Sequence, residues 1–330
     1  MHFYKIHILY YQNFCYNKNM KLEYIVKDED NYIQILKNYF HMSKRLIKKV
    51  EYSYVYINGK SIQEYYIENN DFIKSKAKID KHFYHAIKSG DKIEIDLGFD
   101  EEDSEVVPNE KIKLEILYED EWMLIVNKPP FINVHPSPND YDGSLANGVK
   151  AYFNKIGLHK KIRIVNRLDK NTSGIVIFAK CEYIQEMFTR EMKNNEYQKK
   201  YIAVVEGKLE GFGSIDKPIA RKLPSIIERE VNPSGEKAIT HYKVLKNFKA
   251  DESNFSEVEL LLETGRTHQI RVHLAYIGHP IVGDTLYGNA SKYIDRQALH
   301  AYAIDFIHPI TNKHMHLETP LPKDIENLII

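Results

Sequence analysis

Between Arg163 and Phe178 two β-type apolar runs enclose a tight polar segment, Asn166-Arg167-Leu168-Asp169-Lys170-Asn171-Thr172-Ser173-Gly174, and this pattern leaves the backbone few choices. Strands on both flanks fix a turn between them. The turn presents Asp169 beside Arg167, a cation able to hold the carboxylate ionised at neutral pH. Such a group could attack or deprotonate a sugar. Taken alone, the same residues also describe a solvated hairpin with a surface ion pair.

The rest of the chain narrows the choice. Its 330 residues suit two domains, and 43% hydrophobic residues suffice for buried cores. Lys plus Arg and Asp plus Glu each number 46, so no bulk positive field advertises a polyanionic partner and any nucleic-acid binding must rest on local patches. Cys15 and Cys181 stand far apart without metal-ligand spacing, which argues against a disulfide framework or a zinc site and for a reducing cytoplasm. No run approaches the ~20 apolar residues that span a bilayer, so no membrane partner is expected. Residues 1–19 form an odd aromatic leader interrupted by Lys5, His7 and Gln12, and Met20, which opens an alternating strand-like pattern, is the expected native start.

Within residues 20–98, Ser43 is placed to cap a helix that carries Leu46, Ile47 and Val50 on one face and Lys44, Arg45, Lys48 and Lys49 around it. A strand at Val55-Tyr56-Ile57 ends in the turn-forming pair Asn58-Gly59, and Ser89-Gly90-Asp91 introduces another strand at Lys92 to Ile95. Basic helix, "INGK" turn and "SGDKIEI" strand in this order resemble an S4-type RNA-binding module, which implies RNA contact through Lys44, Arg45, Lys48 and Lys49. Residues 99–112 are acidic, carry Pro108 and read as a solvated linker to a second domain at 113–330. Strands are expected there at Leu114–Tyr118, Met123–Val126, Tyr201–Val205 and Val258–Leu262, and helices at Ser144–Phe153 and Glu182–Lys193.

A second cluster, Glu263-Thr264-Gly265-Arg266-Thr267-His268-Gln269-Ile270-Arg271-Val272-His273-Leu274, reads as a strand end, a turn and a helix that Thr267 could cap. Arg266 precedes the helix and can point into a cleft. His268 and Arg271, three apart, share a face suited to phosphate, although a charged surface helix with ordinary histidines fits as well. His268 and His273 point to different faces, so a metal role is disfavoured.

Together, "NRLDKNTSG", "KKYIAVVEG", "GRTHQIRVHL", "HPIVGDTLYG" and "ALHAYAIDFIHP" resemble the RluA-type family of pseudouridine synthases over about Leu114 to Pro322. That resemblance implies an α+β core built on a mostly antiparallel mixed sheet, behind a small S4-like α+β domain. It also implies an isomerase without metal or organic cofactor that converts uridine in RNA, 23S ribosomal RNA ahead of transfer RNA, to pseudouridine. Asp169 would be the catalytic aspartate, Tyr201 the ring packed against the base, and Arg266 the ion-pair partner of Asp169. Arg167 would fill the gap left by the extruded base or else pair with Asp169; His268 and Arg271 would hold phosphate. A cytoplasmic monomer with no obligatory protein partner is expected. The chain departs from the family pattern at Asn166, where a histidine is common, and at Phe131-Ile132-Asn133. Two other functions compete: a non-catalytic RNA-binding or ribosome-assembly factor, and a glycosidic hydrolase, which would need a second acid that local spacing does not supply.

Overall fold

The alternating pattern that begins at Met20 forms a strand, with Leu22 buried and its neighbours Lys21 and Glu23 exposed. The structure, a computed structural model, describes residues 20–69, 86–102, 106–194 and 196–329; the leader at 1–19 and part of the 20–98 unit lie outside the described residues. The N-terminal unit runs β1 (Lys21–Ile25), β2 (Asp30–Asn31), α1 (Tyr32–Asn38), α2 (Lys44–Val50), β3 (Val55–Ile57), β4 (Lys60–Ser61), α3 (Ile62–Asn69), β5 (Ala86–Ile87) and β6 (Lys92–Asp96). Its main sheet has the order β1-β6-β3-β4. The Ser43 hydroxyl caps α2 by accepting from Leu46 N at 3.1 Å. Asn58 and Gly59 both take positive φ, at 50° and 76°, as a two-residue turn between β3 and β4 requires.

The larger unit follows as β7 (Glu115–Glu119), β8 (Met123–Lys128), α4 (Leu145–Lys155), β9 (Arg163–Ile164), β10 (Ser173–Ala179), α5 (Glu182–Lys193), β11 (Gln198–Glu206) and β12 (Phe212–Asp216). After these come β13 (Ile219–Arg221), β14 (Arg229–Val231), β15 (Ile239–Ala250), β16 (Ser253–Leu262), α6 (Gln269–Tyr276), β17 (Leu299–Ile307), β18 (His314–Glu318) and α7 (Lys323–Ile329). A ten-stranded sheet orders eight of the strands as β12-β15-β16-β11-β17-β10-β8-β7, with β18 added on β17 and β9 on β10. Its pairings are antiparallel except β10 with β17, which meet in parallel over two register pairs, Ser173 with His300 and Gly174 with Ala301. Gly174 sits at φ 120°, and a Cβ there would collide with the Ala301 carbonyl, so only glycine admits this junction. The fold is therefore α+β with a mostly antiparallel mixed sheet. Among the described residues no helix is long and apolar enough to cross a membrane.

The expected solvated linker is instead fastened down where it begins. The buried Lys160 ammonium donates to Leu97 O at 2.7 Å and to Phe99 O. Phe99 stacks on Tyr54, with ring centroids 4.2 Å apart. Glu101 takes both Arg163 Nη1 and Nη2, at 2.6 and 2.8 Å, and Lys49 Nζ at 2.5 Å. Burial alone would raise the Glu101 carboxyl, but the hydrogen bonds from Arg163 and Lys49 outweigh it and pull it down to about 2. Helix α2 docks alongside, with Ser43 N and Oγ donating to Glu186 at 3.0 and 2.5 Å and Arg45 pairing with Glu182 at 2.7 Å. One apolar cluster runs from Leu36, Phe40 and Leu46 of the N-terminal unit to Trp122, Ile184, Phe188 and Phe306 of the larger one. A carboxylate and a ring that composition assigns to water thus close an interior shared by both units.

Candidate functional site

The segment around Asp169 is a broad loop closed by a short ladder, because β9 pairs with β10 through Ile164 with Phe178 and Arg163 with Ala179. Asn166 laces the two sides. Its amide donates to Ile175 O at 3.0 Å and its oxygen accepts from Ile177 N at 2.9 Å, so the residue that departs from the family pattern satisfies two backbone groups of β10. Thr172 N donates to Asp169 O at 3.0 Å and folds the tip into a tight turn. Lys128, at the end of β8 and fully buried, donates to Pro129 O at 2.8 Å, Ile132 O at 3.0 Å and Lys170 O at 3.0 Å. Burial lowers this ammonium to about 7, with Arg296 adding to the effect and Asp169 opposing it.

Facing the loop is the start of α6. Gln269 folds back so that its Oε1 accepts from Arg266 N at 3.0 Å and Thr264 Oγ1 at 2.8 Å, which shapes the turn. Thr267 is not the cap. That position falls to His268, in the left-handed region at φ 58°, and the reversal aims the side chains before and after it in different directions.

The ion pair expected between Asp169 and Arg266 is therefore not formed. Arg266 turns outward to Lys237 O at 3.1 Å and to the Glu236 carboxylate. Arg271, in the first turn of α6, takes its place, donating from Nη1 to Asp169 Oδ2 at 3.1 Å while Nε and Nη2 grip Asp284 at 2.7 and 2.8 Å. Asp284 fixes the fork further by accepting from Leu286 N and Tyr287 N at 3.1 and 3.3 Å. Burial works against the Arg271 charge, but the bonds to Asp284 prevail and its pKa is raised. The Tyr287 ring lies 5.1 Å from the guanidinium carbon, adding a cation–π contact.

The paired expectation for His268 and Arg271 as phosphate ligands is corrected on the same geometry. Arg271 is buried and spent on two carboxylates. His268 Nδ1 meets the Tyr287 hydroxyl at 2.9 Å and Nε2 lies 3.9 Å from Asp169; burial lowers its pKa, with Asp169 opposing, so it serves as a neutral wall of the site near pH 7. Arg167 is exposed and makes no ion pair with Asp169 among the described residues.

Tyr201 lies in β11 within the core cluster that also holds Leu168 and Ile270, and it is 5% exposed. Burial raises its phenol and the Asp169 charge raises it further, which puts ring and carboxylate in one neighbourhood. All four basic residues on α2 are exposed; Arg45 pairs with Glu182 and Lys49 with Glu101, while Lys44 and Lys48 make no ion pair among the described residues. Among the described residues no group of three His, Cys, Asp or Glu is gathered as a metal site would require.

The arrangement is one partly exposed carboxylate held by a guanidinium that a second, fully buried carboxylate orients. Asp284 and Lys128 were not singled out from the sequence. A signal existed for each, an acid set among Pro, Ile, Val and Gly in "HPIVGDTLYG" and a lysine directly after the apolar run of β8.

Residues 122–276 match the family described as RNA pseudouridylate synthase. An uncharacterized RNA pseudouridine synthase of Bacillus subtilis is 42% identical over 246 residues, covering 74% of this chain and 85% of that protein. The ribosomal large subunit pseudouridine synthase D of Haemophilus influenzae is 35% identical over 273 residues, covering 78% and 82%. Among solved structures, human RNA pseudouridylate synthase domain containing 1 superposes with a TM-score of 0.54 at 27% identity, over 64% of this chain and 85% of that one.

Proposed function

The chain belongs to the RluA-type family of RNA pseudouridine synthases and is an isomerase of RNA uridines, and from that premise we propose that Asp169 is its catalytic group and that its substrate is ribosomal RNA of the large subunit. The observation that carries the first part is the Asp169–Arg271–Asp284 chain of ion pairs, with Tyr201 buried beside it. Two of the relatives supply the second part, since both are named for the large ribosomal subunit.

The reaction is neutral in atoms and electrons. The bond from N1 to C1′ breaks, uracil turns within the pocket, and C5 joins C1′ while its proton moves to a base and N1 regains one. Asp169 drives the cleavage by adding to C1′ or by taking the C2′ proton, and the same group reverses that step after the turn. Arg271 holds the carboxylate in place at no entropic cost during the reaction, because Asp284 has already fixed the fork. The Tyr201 ring packs on the free base and prevents its escape. Arg167, which is exposed, stacks where the uridine had been and takes a phosphate. The N-terminal unit, read as S4-like, adds RNA contact through Lys44 and Lys48, the two cations of α2 that are outside its ion pairs with Glu182 and Glu101.

The test is Asp169→Asn. Pseudouridine formation is expected to vanish while the unfolding midpoint and RNA affinity stay near wild type; retained activity refutes the assignment. Site-resolved pseudouridine mapping of total RNA with and without the gene tests the substrate. Loss of a site in large-subunit ribosomal RNA is the expected result, and loss confined to transfer RNA overturns it.

A further inference from the structure

The turn that carries Asp169 exposes backbone carbonyls toward the protein interior, and each needs a donor there. Lys128 serves Lys170 O from one flank. From the other flank Arg296, fully buried just before β17, donates from Nη1 to Asn171 O at 3.1 Å and to Gln297 O and Leu299 O at 3.2 Å each. The neighbouring Gln297 donates from Nε2 to Thr172 Oγ1 at 3.2 Å. What aims Arg296 is Asp324 in α7, at the far end of the chain, which accepts Nε at 2.6 Å and Nη2 at 2.9 Å. Every residue of the turn from 169 to 172 is thus tied, and the tie at Asn171 leads without a break to the C-terminal helix.

We propose that Arg296, oriented by Asp324, is a positioning residue for Asp169, so that α7 sets where the carboxylate stands relative to Arg271 and the ribose. The inference rests on Asp169 being the catalytic group. A planar guanidinium bound at both edges has one orientation. It therefore transmits the placement of α7 to Asn171 O, two residues from the carboxylate, as a fixed offset. A shift of about 1 Å in a reacting group is enough to cost roughly 10²-fold in rate. Substrate binding does not pass through Arg296 itself, because its side chain is sealed beneath the turn.

The experiment compares Asp324→Ala and Asp324→Asn with wild type. Asp324 is partly exposed on a surface helix, so both variants are expected to fold. Measured are the single-turnover rate at saturating RNA, RNA affinity by filter binding, and the urea midpoint. The expected result is a fall of about 10²-fold in the saturated rate for the alanine variant and a smaller fall for asparagine. RNA affinity should stay unchanged, and a stabilising osmolyte should not restore the rate. A wild-type rate in both folded variants overturns the proposal. So does a rate recovered by the osmolyte, or failure of both variants to fold, because either marks the connection as structural only. Asp169→Asn assayed in parallel separates the two levels: its activity would remove the catalytic assignment itself, whereas its inactivity beside fully active Asp324 variants would remove only the positioning.

Discussion

Glu101→Gln isolates the fastening between the two units, because the amide keeps the shape of the side chain and removes its charge. In the wild type this carboxyl drops from an ordinary 4.5 to about 2. A drop of about 2.5 at roughly 1.4 kcal/mol per unit gives about 3.5 kcal/mol, and allowing for the partly exposed Lys49 ammonium leaves about 2 kcal/mol. The group is an acid with a depressed folded pKa. Its contribution is therefore fully present above about 4.5 and disappears as pH falls toward about 2. Urea unfolding at pH 7 should place Glu101→Gln about 2 kcal/mol below wild type, with Arg163 left buried and uncompensated. The two proteins should converge as the pH is lowered through that window, and hydrogen exchange at pH 7 should rise selectively in α2 and β1. The saturated reaction rate should not change, since Glu101 lies in the interface of the units, bonded to Arg163 and Lys49, and touches none of Asp169, Arg271 and Asp284. A stability difference below about 0.5 kcal/mol at pH 7, or one that does not narrow with acid, refutes this account of the fastening.

Arg271→Gln should remove pseudouridine formation and also destabilise the fold by about 3 kcal/mol or more in denaturant titrations, because it strands the buried Asp284 carboxylate as well as Asp169; a folded variant of undiminished stability would show that the fork is not needed there. Lys44→Gln with Lys48→Gln should weaken RNA binding and flatten the slope of log affinity against log salt, by about 0.7 to 0.9 for each phosphate that is no longer neutralised. Arg45→Gln with Lys49→Gln should leave that slope alone while lowering stability, and the reverse pattern would place RNA on the docked face of α2.

What the sequence made legible followed from local pattern. Helix α5 begins and ends where its periodicity does, at Glu182 and Lys193. The Asn58-Gly59 pair makes its turn, and the apolar runs around Asp169 present that residue on a loop. Partners chosen across long stretches of chain were not legible. Asp169 and Arg271 are 102 residues apart; local spacing offered Arg167 as the cation, and the family resemblance implied Arg266. The decision turns on one left-handed residue, His268, whose φ no local pattern announces. Glu101 escaped for a related reason, since an acid in an acidic run reads as solvated until Arg163 and Lys49 arrive from elsewhere.

The parallel junction of β10 and β17 divides the large sheet along a seam two residue pairs long. Asp169 hangs from one side of it, ahead of β10, while Tyr201 and Arg271 belong to the other. The ion pair from Arg271 to Asp169 therefore reaches across that seam. Carboxylate and guanidinium thus stand on halves of the sheet whose ladder is joined by the pairs Ser173 with His300 and Gly174 with Ala301, like two pages bound at a narrow spine.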